Sequence, residues 1–165
     1  VEANRLDRNA TGLTLLNSDN IVIRGNHIAH AMGSSGAGIA LKESGAARIE
    51  DNEILHCAVG LIADSPLDPH NLIRITGNRF SHNVTGISFY GERGGHLVQA
   101  NRFTHNLWQA TVGGSDENDR NIWQGNYWDD YEGFDRNTDG TGDTPYEIHA
   151  YADRIVIRQD GAIVG

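Results

Sequence analysis

Hydrophobic residues recur in this sequence at a fixed place within a longer repeating unit. Each unit begins with an Asn, and successive Asn residues are 22, 26, 26, 23 and 25 residues apart. A large apolar residue stands two positions after each Asn. The pairs are Asn4 and Leu6, Asn26 and Ile28, Asn52 and Ile54, Asn78 and Phe80, Asn101 and Phe103, and Asn126 and Trp128. Units of this length are typical of the coils of a solenoid protein.

Each unit also contains short stretches in which apolar residues alternate with others. Leu13 and Leu15 form one such pair, and Ile21 and Ile23 form another. This alternation predicts short strands with one buried face, and no segment keeps the three-to-four spacing of a helix. The sequence therefore predicts an all-β fold, a parallel β-helix with three short strands per coil and about six coils. The chirality of the backbone favours a right-handed coil.

The composition fits a fold with many corners. Gly occurs 20 times, and both Gly and Asn tolerate the left-handed backbone that corners between strands require. Stacked Asn side chains can also bond to the equivalent amide one coil away. We therefore expect the Asn residues of the repeat to form a structural column.

The charge and the ends of the chain bear on its partners and location. The formal net charge is −9, and Lys42 is the single Lys beside 12 Arg. Proteins that bind nucleic acid hold phosphates with clustered basic residues, so we expect no nucleic acid partner. The sequence contains neither a signal peptide nor an apolar run long enough to span a bilayer, so we expect no direct membrane insertion. Because the chain opens at Val1, without Met and within a repeat, we interpret it as a fragment.

A second column lies four positions after the repeat Asn and consists of His30, His56, His82 and His105. In register, these imidazoles would stack at the strand separation of about 4.7–4.9 Å. Repulsion prevents all four from being protonated, so we expect neutral rings, the form that binds metals. Nitrogens from adjacent coils could hold one metal ion. The nearby sulfur atoms of Met32 and Cys57 favour copper, above all cuprous copper.

The alternative for this column is purely structural. Repeat proteins often stack identical side chains for packing alone, and a His at a corner can satisfy backbone groups. Cys57 also occupies the position held in other coils by Asn9, Ala31, Asn83 and Asn106. That pattern is typical of a packing position for small residues.

The segment "DRNTDGTGD" resembles the first half of a calcium-binding loop. Oxygen ligands alternate along it, and a Gly that permits a sharp turn follows the third ligand. The candidate ligands are Asp135, Asn137, Asp139, the carbonyl of Thr141, and Asp143. The segment departs from the EF-hand pattern because no Glu stands at position twelve. The alternative is a turn whose side chains cap their own backbone.

An enzyme is the main competing hypothesis for function. Asp68 and His70 flank Pro69 in an insertion and could act as acid and base on a sugar polymer, with Arg93 neutralising a uronate carboxylate. The protein would then be a polysaccharide lyase, epimerase or hydrolase. The simpler explanation is a turn containing Pro, so we predict no catalytic residues. A purely structural, carbohydrate-binding solenoid is the third hypothesis.

Aromatic residues cluster where the repeat ends, and they are Trp123, Tyr127, Trp128, Tyr131 and Phe134. An open solenoid end exposes unpaired strand edges, which a bulky, acidic, turn-rich segment would cover. We therefore expect one domain, with β-helix coils over residues 1–125. The last strand, an aromatic and acidic cap and the calcium-type loop would follow over residues 126–165.

The final part of the chain resembles the NosD family. The motifs that carry the resemblance are "GNYWDDY", "GFDRN", "DGTGDTPYEI" and "YADRI", which follow coils of the form "NxIxxNxxGIxL". The resemblance implies a right-handed β-helix in a periplasmic accessory protein, not an enzyme. Such a protein assembles the copper–sulfur centre of nitrous oxide reductase together with an ABC transporter and a copper chaperone.

Overall fold

The structure, a computed structural model, describes residues 1–34, 36–64, 68, 70–91, 94–113, 121–150, 154–155 and 162–163. The regular elements within these residues are all β-strands, as the alternating apolar pattern predicts. No helix in this described part has the length and hydrophobicity needed to cross a bilayer.

The strands form three sheets, and consecutive strands from β1 to β16 fall in different sheets. The first sheet contains β1 (Arg5–Asp7), β4 (His27–Ala29), β7 (Glu53–Leu55), β10 (Arg79–Ser81), β13 (Arg102–Thr104) and β16 (Tyr127–Trp128). The second contains β2 (Leu13–Leu16), β5 (Ala37–Lys42), β8 (Val59–Ala63), β11 (Thr85–Tyr90), β14 (Trp108–Gly113), β17 (Ile148–Ala150) and β18 (Arg154–Ile155). The third contains β3 (Val22–Arg24), β6 (Arg48–Glu50), β9 (Arg74–Thr76), β12 (Leu97–Gln99) and β15 (Ile122–Gln124). The chain therefore coils and adds one strand to each sheet per turn.

Equivalent residues of successive coils lie side by side. Leu6 pairs with Ile28, and Ile28 pairs with Ile54. The same column continues through Phe80, Phe103 and Trp128. Strand pairing is parallel throughout the described coils, whereas β17 and β18 pair antiparallel. The predicted parallel β-helix is confirmed.

The number of coils is slightly lower than the sequence predicts. The third sheet has five strands, so five described coils contribute to all three sheets. The sixth repeat contributes β16 to the first sheet and β17, which pairs parallel with β14, to the second sheet, but none of its described strands joins the third sheet. The right-handed sense of the coil stays a prediction from backbone chirality.

The repeat Asn residues form a ladder through the inside of the solenoid. The backbone N–H and the Nδ2 of Asn26 both donate to Oδ1 of Asn52, each at 2.9 Å, and Asn52 bonds to Asn78 in the same way. Asn26, Asn52, Asn78 and Asn101 are each no more than 2% exposed. Because every amide in the column is held by its neighbours, the ladder satisfies polar groups that burial would otherwise leave unpaired.

The left-handed corners are distributed differently from the prediction. The residue before each ladder Asn adopts a positive φ, as at Gly25 (62°) and Asp51 (54°). A second left-handed corner follows the first-sheet strands β1, β4, β7, β10 and β13. Arg8 occupies it after β1, and the predicted His column occupies it after the other four. The ladder Asn residues themselves therefore serve in hydrogen bonding, and their neighbours make the turns.

The last coil is covered by the segment that follows it. Rings of Phe80, Phe103, Trp128 and Tyr146 stack in one file, with centroid separations of 5.1, 4.3 and 4.2 Å. Ile163 N donates to the carbonyl of Asn126 at 3.1 Å, the bond that the next coil would supply. The sequence predicts that Phe134 is part of the aromatic cluster, but this residue is 69% exposed.

Candidate metal-binding site

The four column histidines form a stacked ladder on the surface. Their ring centroids are 5.1, 5.0 and 4.9 Å apart in chain order, close to the strand separation, and all four side chains are exposed. We call His30, His56, His82 and His105 the imidazole ladder. The predicted stacking of these residues is thus present in the fold.

The backbone conformation fixes the position of the Cα atom from which each imidazole side chain extends. The φ angles of the four residues lie between 54° and 57°, in the left-handed region, where His is among the better tolerated residues other than Gly. The N–H of His30 donates to the carbonyl of Leu55 in the next coil at 3.1 Å, and that of His56 donates to Ser81 at 3.2 Å. The corner therefore holds each Cα while the ring extends into solvent.

The two ends of the ladder have different carboxylate contacts. Nδ1 of His30 lies 2.8 Å from Oδ1 of Asp7, and this hydrogen bond lowers the pKa of Asp7. At the other end, Nδ1 of His105 is 3.6 Å from Oδ2 of Asp129. Both oxygens of Asp129 are occupied, because Oδ2 accepts the backbone N–H of His105 and Oδ1 accepts Nε2 of Gln109, each at 2.6 Å.

The inner two imidazoles contact no carboxylate among the described residues. Within the described part of the chain, the rings of His56 and His82 form no hydrogen bond, and they contact their ladder neighbours by stacking. Their mutual angle is 35°, whereas the outer pairs lie at 5° and 7°. The hydroxyl of Thr104, next to His105 in the chain, is a buried oxygen that no described group satisfies.

The fit of these residues to a metal ion depends on ring orientation. An ion binds an imidazole along a lone pair that lies in the ring plane, so nearly parallel rings do not aim their lone pairs at a common point. The described residues contain no group of three or more His, Cys, Asp or Glu side chains placed to hold one ion. The described ladder therefore does not form a closed four-ligand site of the zinc type, and binding of a cuprous ion by one or two of its imidazoles stays a prediction.

The two candidate sulfur ligands have opposite environments. Cys57 is 1% exposed and packs in the core, where burial raises the pKa of its thiol. Its backbone N–H donates to Oδ1 of Asn83 at 2.9 Å, so its position is the small-residue packing position that the alternative hypothesis describes. Met32 is 61% exposed and remains available as a ligand.

The calcium-type loop uses its oxygens internally. Oδ2 of Asp135 accepts the N–H of Gly140 at 2.9 Å, Oδ1 of Asp139 accepts that of Thr141 at 2.8 Å, and Oδ2 of Asp143 accepts that of Arg136 at 2.8 Å. Asn137 donates Nδ2 to Oδ2 of Asp139 at 2.8 Å. These contacts are those of a self-capped turn, and they give the calcium prediction no support.

The candidate acid and base of the enzyme hypothesis form a turn. Oδ1 of Asp68 accepts the backbone N–H of His70 at 2.9 Å, and both residues are exposed. Pro69 and Arg93, which the same hypothesis uses, lie outside the described residues. The contact between Asp68 and His70 is local, as expected for the turn alternative.

The sequence analysis missed two pairs of His and carboxylate. Asp7 bonds to His30, and Nδ1 of His27 lies 2.8 Å from Oε2 of Glu53. Alignment of the coils contains the signal for both. Asp7 pairs in register with Ala29, which precedes His30, and His27 pairs with Glu53.

Comparisons with known proteins found a matching family and two named relatives. Residues 1–133 match the family model described as periplasmic copper-binding protein (NosD). A protein of Pseudomonas aeruginosa named probable ABC transporter binding protein NosD is 36% identical over 84 residues, which are 50% of this chain and 20% of that protein. The protein of the same name from Stutzerimonas stutzeri is 34% identical over 83 residues, 50% of this chain and 19% of the relative.

These matches cover much of this chain but little of its relatives. The aligned part spans about a fifth of the length of the two curated proteins. Their names describe binding proteins, in agreement with the prediction that the chain is not an enzyme. Because the family model covers residues 1–133 of 165, the chain belongs to the NosD family.

Proposed function

We propose that this chain is part of a periplasmic accessory protein that takes up copper on its imidazole ladder. The copper is cargo for the copper centre of nitrous oxide reductase. The family description, a periplasmic copper-binding protein, supports this proposal for the metal and the compartment. The resemblance of the terminal motifs to the NosD family supports nitrous oxide reductase as the enzyme that receives the copper.

The exposure of the ladder is the observation that carries the proposal. The four rings are exposed in one file, and the His30 and His105 side chains are 47% and 69% exposed. A cargo ion must be accepted from one protein and released to another, so an open site with few ligands suits transfer better than a closed cage. Imidazole nitrogen is a good ligand for copper.

The proposed partners are an ABC transporter, nitrous oxide reductase and a copper chaperone. The two relatives are named as ABC transporter binding proteins, which supports the transporter as a partner. The formal net charge of −9 would favour encounter with a positively charged partner surface or a cation.

A competition assay tests the copper proposal. The chain and a variant with His30, His56, His82 and His105 all changed to Asn would compete with a chromophoric chelator for cuprous ion under reducing conditions. Asn suits the left-handed corner, so the variant should keep the circular dichroism of the native chain. We expect the native chain to withdraw copper from the chelator and the variant to lose at least tenfold in affinity. Equal competition by the two proteins would refute copper binding at the ladder.

A further inference from the structure

The hydrogen bond between His30 and Asp7 fixes the tautomer of one ring in the imidazole ladder. An ionised carboxylate can only accept a hydrogen bond, so at 2.8 Å the proton lies on Nδ1 of His30. The neutral ring then carries its lone pair on Nε2. Histidines that bind metals typically donate the other ring N–H to a carboxylate in this way, which fixes both tautomer and orientation.

The other three ladder rings lack a short hydrogen bond from Nδ1 to a carboxylate among the described residues. Asp129 lies 3.6 Å from Nδ1 of His105, and its oxygens accept other donors. The rings of His56 and His82 have no hydrogen bond among the described residues. The ladder is therefore asymmetric, with one oriented nitrogen at the His30 end.

A soft ligand lies close to that end along the chain. Met32 follows His30 by two residues and is 61% exposed. Its unbranched side chain has three rotatable bonds, and its thioether is a ligand type that selects cuprous copper. The other described sulfur, in Cys57, is buried in the core. An imidazole nitrogen and a thioether, both exposed, thus belong to residues two positions apart in one coil.

We propose that copper enters the ladder at the His30 end, where Nε2 of His30 and the thioether of Met32 bind a cuprous ion and Asp7 positions the ring. Asp7 acts through His30 and does not contact the ion. This inference rests on the proposed function and assigns its first binding site. The stacked rings of His56, His82 and His105 would then receive the ion from that site.

Variants of Asp7 and Met32 test this assignment by cuprous competition. Asp7→Asn lets an amide donate to Nδ1, which favours the tautomer with no lone pair on Nε2, so we expect a loss of about 10–100-fold in affinity. Asp7→Glu keeps a carboxylate and should restore part of the loss. Met32→Leu, which preserves side-chain volume, should weaken binding at least tenfold. The matched control is Glu53→Gln, which makes the same carboxylate-to-amide change at an equal 2.8 Å contact with His27. Because His27 is not part of the imidazole ladder, this variant should leave affinity unchanged.

The tautomer of His30 gives a second readout that does not depend on copper. Long-range ¹H–¹⁵N spectra of the copper-free chain should show Nε2 of His30 unprotonated in the native protein and protonated in Asp7→Asn. If the native chain binds copper and both Asp7→Asn and Met32→Leu bind equally well, the assignment is wrong and the proposed function stands. If the native chain does not bind copper, both fail.

Discussion

Individual histidines of this chain have contrasting environments. His96 is 2% exposed, and its Nδ1 accepts the backbone N–H of Ile73 at 3.1 Å. The backbone N–H of His96 donates to Oδ1 of Asn121 at 3.0 Å, and the ring of His96 stacks on Phe89 at a centroid distance of 5.3 Å. Burial lowers the pKa of His96 to about 4. A ring that must stay neutral is therefore built into the interior.

This residue predicts a pH dependence of stability. The unfolded chain binds a proton at His96 near pH 6.5 and the folded chain only near pH 4, so the unfolded state holds more protons between these values. The free energy of unfolding should fall as pH decreases from 6.5 to 4, by roughly 3 kcal/mol. Urea unfolding at a series of pH values measures it.

The control for this pH dependence is His96→Asn. Asn can accept the N–H of Ile73, just as Asn121 accepts the backbone N–H of His96, but it does not titrate. The difference in unfolding free energy between native and variant should therefore narrow as pH falls. A difference that is constant from pH 7 to pH 4 would contradict the assignment to His96.

At the scale of the structural elements, the Asn ladder links the coils. Asn78 is 1% exposed and accepts two bonds from Asn52. Its Nδ2 donates to the carbonyls of Ile49 and Thr76 at 2.7 and 3.1 Å. One side chain thus joins three successive coils.

We expect Asn78→Ala to destabilise the solenoid by roughly 3–5 kcal/mol, because several buried donors and acceptors lose their partners at once. Denaturant unfolding provides the measurement. The matched control is Asn4→Ala, at the exposed end of the same ladder, where water replaces the lost bonds and the effect should stay below about 1 kcal/mol. Equal effects at the two positions would show that burial of the ladder does not matter.

The sequence predicts the elements well because the fold repeats. Any column of identical residues at coil spacing must align once the strands pair in register, which is why the Asn and His columns could be predicted. The cap differs because it has no repeat. Tyr146 completes the aromatic stack at 4.2 Å from Trp128, but nothing in its local sequence distinguishes it from Phe134, which is exposed. We propose residues 126–165 as the closing segment of the domain.

The candidate site could be predicted only in part. Spacing alone places His30, His56, His82 and His105 in one file, but ring orientation depends on contacts between coils. The bond from His30 to Asp7 joins residues 23 positions apart, and the burial of Cys57 depends on the side of the corner it faces. Neither property is encoded in a local motif.

The whole molecule combines a rigid stack with an open ladder. At the described left-handed corners, backbone N–H groups donate to carbonyls of the next coil, as at Gly25, Asp51, His30 and His56, whereas the imidazoles extend from their corners into solvent. If copper binds to the imidazole ladder as we propose, we expect the backbone to keep its conformation and the ordering to involve only a few side chains. A small ordering cost of this kind would suit the proposed transfer of copper to a partner.

The central claim is that copper binds to the imidazole ladder, and an NMR titration tests it most directly. Long-range ¹H–¹⁵N spectra of the side chains would be recorded before and after addition of one equivalent of cuprous ion under reducing conditions. We predict that resonances of the ladder histidines shift, His30 first, while those of His27, His70 and His96 do not. Shifts confined to His27 or His70, with an unchanged ladder, would contradict the account.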